Sequence, residues 1–190
     1  MINNQRLFEK YKEGNHWENH PVSYAKKFSN FLKSKKFRGL LVDIGCGNDR
    51  DIKEFTDNVI DCVGIDNDKK IIETANKKFP NCNFKVQNAE DLKFDNCSVS
   101  AIFIINVIHY LNNKKAIKEV YRILKPRGYL FIHFNLLIVD NKGKIDYEHR
   151  KEDILKLISK FKIIDDYIFE RVDNYPTKHK HKILELVLQK

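Results

Sequence analysis

Glycine, proline and cysteine are all scarce here, at 7, 4 and 4 of 190 residues, and there is one tryptophan. So few glycines and prolines exclude a collagen-like or low-complexity chain, in which those residues dominate. The cysteines, Cys46, Cys62, Cys82 and Cys97, form no CxxC pair, which argues against a zinc site or a disulfide framework. They read as buried or incidental thiols. No apolar run approaches the ~20 residues that a membrane helix needs. The opening MINNQRLFEK lacks the basic-then-apolar layout of a secretion signal, so the expectation is a cytoplasmic protein with no membrane partner.

With 42% hydrophobic and 12% aromatic residues the chain can bury a proper core. Its length suits one domain, 1–190, with residues 1–37 as an N-terminal helical cap or lid and 38–190 as the core. The 35 Lys and Arg against 26 Asp and Glu give a net charge of +9. The lysines are scattered, which suits solvated helix faces, although the surplus is permissive of a polyanion such as RNA.

Periodicity predicts helices over 3–13 and 21–36, the second with Val22, Ala25, Phe28, Phe31 and Leu32 on one side. Short apolar runs then predict strands at 39–44, 59–66, 83–87, 99–107 and 128–134, with helices over 50–57, 68–79 and 113–124 between them. After a loop with Gly143, a helix is expected over 150–160, followed by extended runs at 161–171 and 181–190. Alternating strands and helices imply an α/β fold: a Rossmann-like three-layer sandwich around a seven-stranded, mostly parallel sheet. The last strand, which no helix separates from the one before it, should be antiparallel, closing a hairpin at one edge.

In such sheets ligands sit at the carboxyl ends of the strands, where strand order reverses. The first strand runs into DIGCG, residues 43–47. Gly45 and Gly47 allow a sharp turn and a close approach to a ligand. Asp66, ending the next strand about twenty residues on, is placed to accept hydrogen bonds from both hydroxyls of a ribose. The third glycine of a dinucleotide fingerprint is missing, and Asp49 and Asp51 would repel a pyrophosphate. A cationic nucleoside fits better, with Asp43 compensating its charge.

These segments resemble the class I S-adenosylmethionine-dependent methyltransferases. Asp43-Ile44-Gly45-Cys46-Gly47 matches the family's first motif, Asp66 its second acid, QNAEDL (87–92) its adenine loop, and AIFIINVIHYL (101–111) its fourth strand and exit. EVYRILKPRGYLFI (119–132) resembles the next helix, turn and strand. The resemblance implies S-adenosyl-L-methionine as cofactor. Asp43, Gly45, Cys46 and Gly47 would meet its methionine end, Asp66 the ribose, and Asn67, Asn88 and Ala89 the adenine. Asn106 would point at the methionine portion or the acceptor. Two departures stand out: Asp49 replaces the third motif glycine, and Pro126-Arg127-Gly128 the usual Pro-Gly-Gly. Asn48 and Asp49 tolerate left-handed backbone, so the turn should survive. Ser100 stands where an acid commonly opens the fourth strand.

His109, Tyr110 and Trp17 are the acceptor-side candidates, although a His-Tyr pair at that place also packs a helix start and Trp17 could sit in a capping loop. His179 and His181 share one side of a strand, but two His without a third ligand make a poor metal site, so they read as edge-strand solvation and no metal is expected. The leading function is methyl transfer to a small-molecule or metabolite acceptor. An RNA acceptor is the alternative, since 104–128 resembles methyltransferases that finish tRNA wobble-uridine side chains. A non-catalytic partner subunit of the same fold is the third.

Overall fold

In the computed structural model, residues 23–47, 50–174 and 177–190 are described. The helix expected over 3–13 and Trp17 therefore lie outside the described residues, as do Asn48 and Asp49. The chain runs α1 (Ser23–Ser34), β1 (Leu41–Ile44), α2 (Arg50–Asp57), β2 (Cys62–Asp66), α3 (Lys69–Lys78), β3 (Phe84–Val86), β4 (Val99–Ile104), α4 (Asn113–Ile123) and β5 (Leu124–Asp140). It ends with β6 (Ile145–Glu148), α5 (Lys151–Leu157), β7 (Lys162–Asp173) and β8 (His179–Gln189).

One sheet orders these strands β3-β2-β1-β4-β5-β8-β7, with β6 added to β5. β1, β2, β3, β4 and β5 are mutually parallel, and β8 runs antiparallel between β5 and β7. The parallel strands are apolar on both faces because helices cover both. Alternate residues divide them. Val42, Ile102 and Ile132 pack with Ile117 and Val120 of α4 and Ile154 of α5. Leu41, Phe103 and Phe131 face the other way, against Phe28 of α1, Phe55 of α2 and Ile72 of α3.

The expected seven strands form one continuous sheet, to which β6 adds an eighth. One expectation is corrected. The segment read as a loop around Gly143 is a hairpin: Asp140 Oδ1 accepts from the backbone N–H groups of Lys142 and Lys144, and Gly143 takes φ +79°. β5 consequently runs to Asp140 instead of stopping at 134, because Leu136 and Ile138 are buried there. β4 pairs with β5 only as far as Ile104–Ile132, whereas β8 follows β5 to Asp140 and β6 takes Leu137–Val139. The antiparallel strands thus rise past the carboxyl ends of the parallel ones and wall one side of the region above them.

The described part of the N-terminal region, α1, is a packed layer of the sandwich. Phe28 is fully buried and its ring lies 5.3 Å from Phe131 and 5.9 Å from Phe103, centroid to centroid. Lys27 of the same helix pairs with the buried Glu185 of β8, which also meets His133 at 2.9 Å. Phe28→Ala is expected to cost about 3–5 kcal/mol, the usual range for emptying a buried aromatic site. Equilibrium unfolding in denaturant measures it, and a loss below about 1 kcal/mol would show that α1 is not part of the folding unit.

Candidate functional site

The turn after β1 is built by three backbone contacts. Gly45 N–H and Cys46 N–H both donate to the Ile65 carbonyl, at 2.7 and 3.0 Å, and Gly47 N–H donates to Asp66 Oδ2 at 3.2 Å. Gly45 and Gly47 have φ of +73° and +57°, the left-handed region that glycine enters without penalty. Their surroundings differ. A Cβ at Gly45 would lie 2.2 Å from Val107 Cγ2, so this glycine lets the exit of β4 pack onto the turn. A Cβ at Gly47 would meet nothing within 4 Å among the described residues, so with respect to them this glycine faces open space. Cys46 is buried, with its thiol over Gly64 and 3.8 Å from the Gly47 carbonyl.

Asp66 ends β2 at the mouth of this turn. Its Oδ1 accepts from Asp68 N–H at 3.0 Å, and with Gly47 on Oδ2 each oxygen retains a further lone pair. Beside it, Asn67, Val86, Gln87, Asn88, Asp91 and Lys93 line an open cavity of about 290 Å³. Ala89 lies partly buried behind this rim, against the α4-side core. The cavity loop is held rigid by a pair that sequence reasoning missed. Arg122 of α4 donates to the carbonyls of Leu92 and Phe94 at 2.8 and 2.7 Å, and Glu119 accepts from Leu92 N–H at 3.0 Å. Their spacing of three on one helix was the available signal. Asp43 is buried at the end of β1, 3% exposed, and engaged by its neighbours.

Asn106 follows β4 with φ +60°, a conformation that asparagine tolerates better than most residues. Its Oδ1 accepts from Arg171 Nη2 at 3.3 Å, and the same nitrogen donates to Asp173 Oδ2 at 2.8 Å. Asp173 sits at about 2. Burial works to raise it, but His181 and Arg171 beside it pull it further down. Arg171 and Asp173 stand on β7, and nothing in the spacing of the sequence tied them to Asn106; only the fold brings them there.

His109 lies 2% exposed in the short turn Ile108–Tyr110, with Asn135 Nδ2 at 3.0 Å from its Nδ1. Burial pushes it down to about 3, with the charges of His181 and Arg171 adding to the effect. Tyr110, its ring tilted 46° against that of His109 with centroids 4.0 Å apart, is raised by burial to about 12.

His179 and His181 overturn the expectation of solvation, since each is only 5% exposed. The reason is topological: β8 lies between β5 and β7, so it is not an edge strand, and the odd positions 179, 181 and 183 share its covered face. Nδ1 of His181 lies 2.8 Å from Asn135 Oδ1, so Asn135 bridges it to His109.

A protein-family model described as a methyltransferase domain matches residues 42–132, the segment that contains the turn, Asp66, the cavity loop and Asn106. Over those residues the chain is similar to the class I S-adenosylmethionine-dependent methyltransferases. It is 32% identical over 112 residues to the methyltransferase YcgJ of Bacillus subtilis, covering 56% of this chain and 42% of that one. It is 31% identical over 129 residues to the human protein named "Probable tRNA methyltransferase 9B", covering 66% of this chain and 26% of that one. A SAM-dependent methyltransferase structure from Methanosarcina mazei shares the fold with a TM-score of 0.68 at 20% identity, over 84% of this chain and 96% of that one. The chain thus spans 26–42% of the length of these two curated relatives.

S-adenosylmethionine is the cofactor of this methyltransferase family, and the residues fit it. The open space over Gly47 would admit the methionine end, the free lone pairs of Asp66 the ribose, and the cavity by Asn67 and Val86 the adenine. Asp66→Ala should weaken binding of S-adenosylhomocysteine by about 2–4 kcal/mol, as expected for losing charge-assisted bonds. Titration calorimetry reads this directly, and unchanged affinity would place the ribose elsewhere.

A second test uses His109. Its lowered pKa means that the unfolded chain takes up a proton below about pH 6.5 while the folded chain does not, so folding stability falls as the solution is acidified. Between about pH 7.5 and about pH 5 the protein should lose about 2 kcal/mol more than its His109→Gln variant, by urea unfolding at each pH.

Proposed function

We propose that this methyltransferase passes the methyl group of S-adenosylmethionine to a small-molecule acceptor that enters beside Asn106 and Arg171. The single observation that carries the reading is the Asn106–Arg171 contact at 3.3 Å, a partly exposed polar pair at the exit of β4, next to the turn that faces open space at Gly47. When bound, the cofactor supplies an electrophilic methyl carbon for in-line displacement. The chain's own contribution is alignment of the acceptor and exclusion of water. Asn106 and Arg171 are suited to orient a polar acceptor group. His109 is committed to Asn135 and is not assigned as a base.

The scattered lysines suit solvated faces, and among the described residues Lys53 meets Asp57, Lys69 Glu73, Lys93 Asp91 and Lys115 Glu90. RNA remains the second reading because the human relative at 31% identity bears a tRNA methyltransferase name.

Methyl-labelled S-adenosylmethionine, offered in parallel with total RNA and with a small-molecule extract, separates the two. Label should enter the extract and not the RNA, with Asp66→Ala as the blank. Label in RNA alone would overturn the small-acceptor reading. Label in neither, with no heat on titrating S-adenosylmethionine to millimolar concentration, would assign the chain to the non-catalytic class, which keeps the fold without the cofactor.

A further inference from the structure

The fold gathers one cluster of metal-type ligands, among the described residues, that the adenosine crevice does not use: Asp173 at the end of β7 with His179 and His181 at the start of β8. The hairpin register creates it, because Asp173 is the cross-strand partner of His179 and Arg171 that of His181. Nε2 of His181 and Nε2 of His179 lie 3.4 and 3.9 Å from the same oxygen, Asp173 Oδ2. One ligand atom from each of the three residues falls within 4.8 Å of the others.

The hydrogen bonds on the far side of each ring fix which nitrogen is offered. Nδ1 of His179 faces the Thr177 carbonyl at 2.6 Å, and Nδ1 of His181 faces Asn135 Oδ1 at 2.8 Å. Neither oxygen can donate, so in the neutral rings the proton sits on Nδ1 and the lone pair on Nε2. Metal-bound histidines are held in this way, with the second nitrogen donating to a carbonyl. Asp173 is oriented in turn by Arg171, at 2.8 Å. At 3.4 Å the approach of His181 Nε2 to the carboxylate is long for a hydrogen bond, and this buried nitrogen has no closer partner among the described residues. A buried group in that state asks for a partner.

We propose that Asp173, His179 and His181 bind a divalent first-row transition ion of the zinc type. Two imidazoles and one carboxylate suit zinc or iron(II), whereas magnesium and calcium prefer oxygen alone. Bonds of roughly 2.0–2.1 Å in a tetrahedron put neighbouring ligand atoms about 3.3 Å apart, a contraction that side-chain rotation can supply. Three protein ligands leave a position open, as in zinc sites that take a water or a second ligand. Arg171, which grips Asp173, also reaches Asn106, so one side chain links the ion to the exit of β4.

Protein stripped with EDTA is titrated with zinc chloride by calorimetry and with cobalt chloride by absorption spectroscopy. One equivalent should bind, with cobalt d–d bands and no thiolate charge-transfer band. The Asp173→Asn and His181→Gln variants, shown to be folded in EDTA by circular dichroism, should each bind at least about tenfold more weakly. Zinc should also shift the ring resonances of His179 and His181 in the unmodified protein while sparing His133 and His149, a readout that holds even where a variant fails to fold. Absence of saturable uptake, a thiolate band, unchanged affinity in a folded variant, or unmoved His179 and His181 signals would each overturn the site. None of these readouts involves S-adenosylmethionine, so the site and the methyl-transfer reading stand or fall separately.

Discussion

The Ile65 carbonyl accepts two hydrogen bonds from the turn after β1, and the rest of the cofactor side is arranged around that junction. It ties the exit of the first strand to the end of the second, while Val107 fills the place that a side chain at Gly45 would need. Asp66, one residue on, is left reaching back to Gly47. The crevice is therefore made mainly of backbone, which loses little conformational freedom when a ligand arrives. The adenine end is stiffened similarly, because Arg122 and Glu119 clamp the loop from the nearest helix.

The acceptor side obeys a different constraint, the unequal length of the strands. β1 has 4 residues and β5 has 17, so the antiparallel partners continue where the parallel strands have stopped. Side chains on that extension are enclosed by their neighbours, and the polar ones among them must find partners. Asn135 supplies both ends of its amide, one to His109 and the other to His181. Arg171 does the same between Asp173 and Asn106. Such a network is costly to break in part, so it fixes side-chain positions more firmly than apolar packing would.

The two sides also differ in what they share with relatives. The family match ends at residue 132, the last residue through which β5 pairs with β4. The cofactor half is thus common to the methyltransferases, whereas the extended strands, β6, and the cluster on β7 and β8 lie beyond it. Of the pair proposed to meet the acceptor, Asn106 lies inside that match and Arg171 beyond it.

The alternating strand and helix order, the turn at Gly45 and Gly47, the acid at Asp66 and the closing hairpin were all legible from residue pattern alone. Each is local: a period of apolar residues, a positive backbone angle, or a carboxylate at a strand end leaves its mark within a few neighbouring positions. The hairpin at Asp140–Gly143 left such a mark too, a polar stretch with a glycine, but its flanking residues, short and partly charged, hid the eighth strand. Only the tertiary structure decided that His179 and His181 are buried, that His109 holds Asn135, and that Arg171 and Asp173 stand beside Asn106 across a separation of 65 residues or more. Placing β8 between two strands rather than at the edge is a matter of which strands pair, and strand pairing joins residues far apart in sequence, where no local pattern records it.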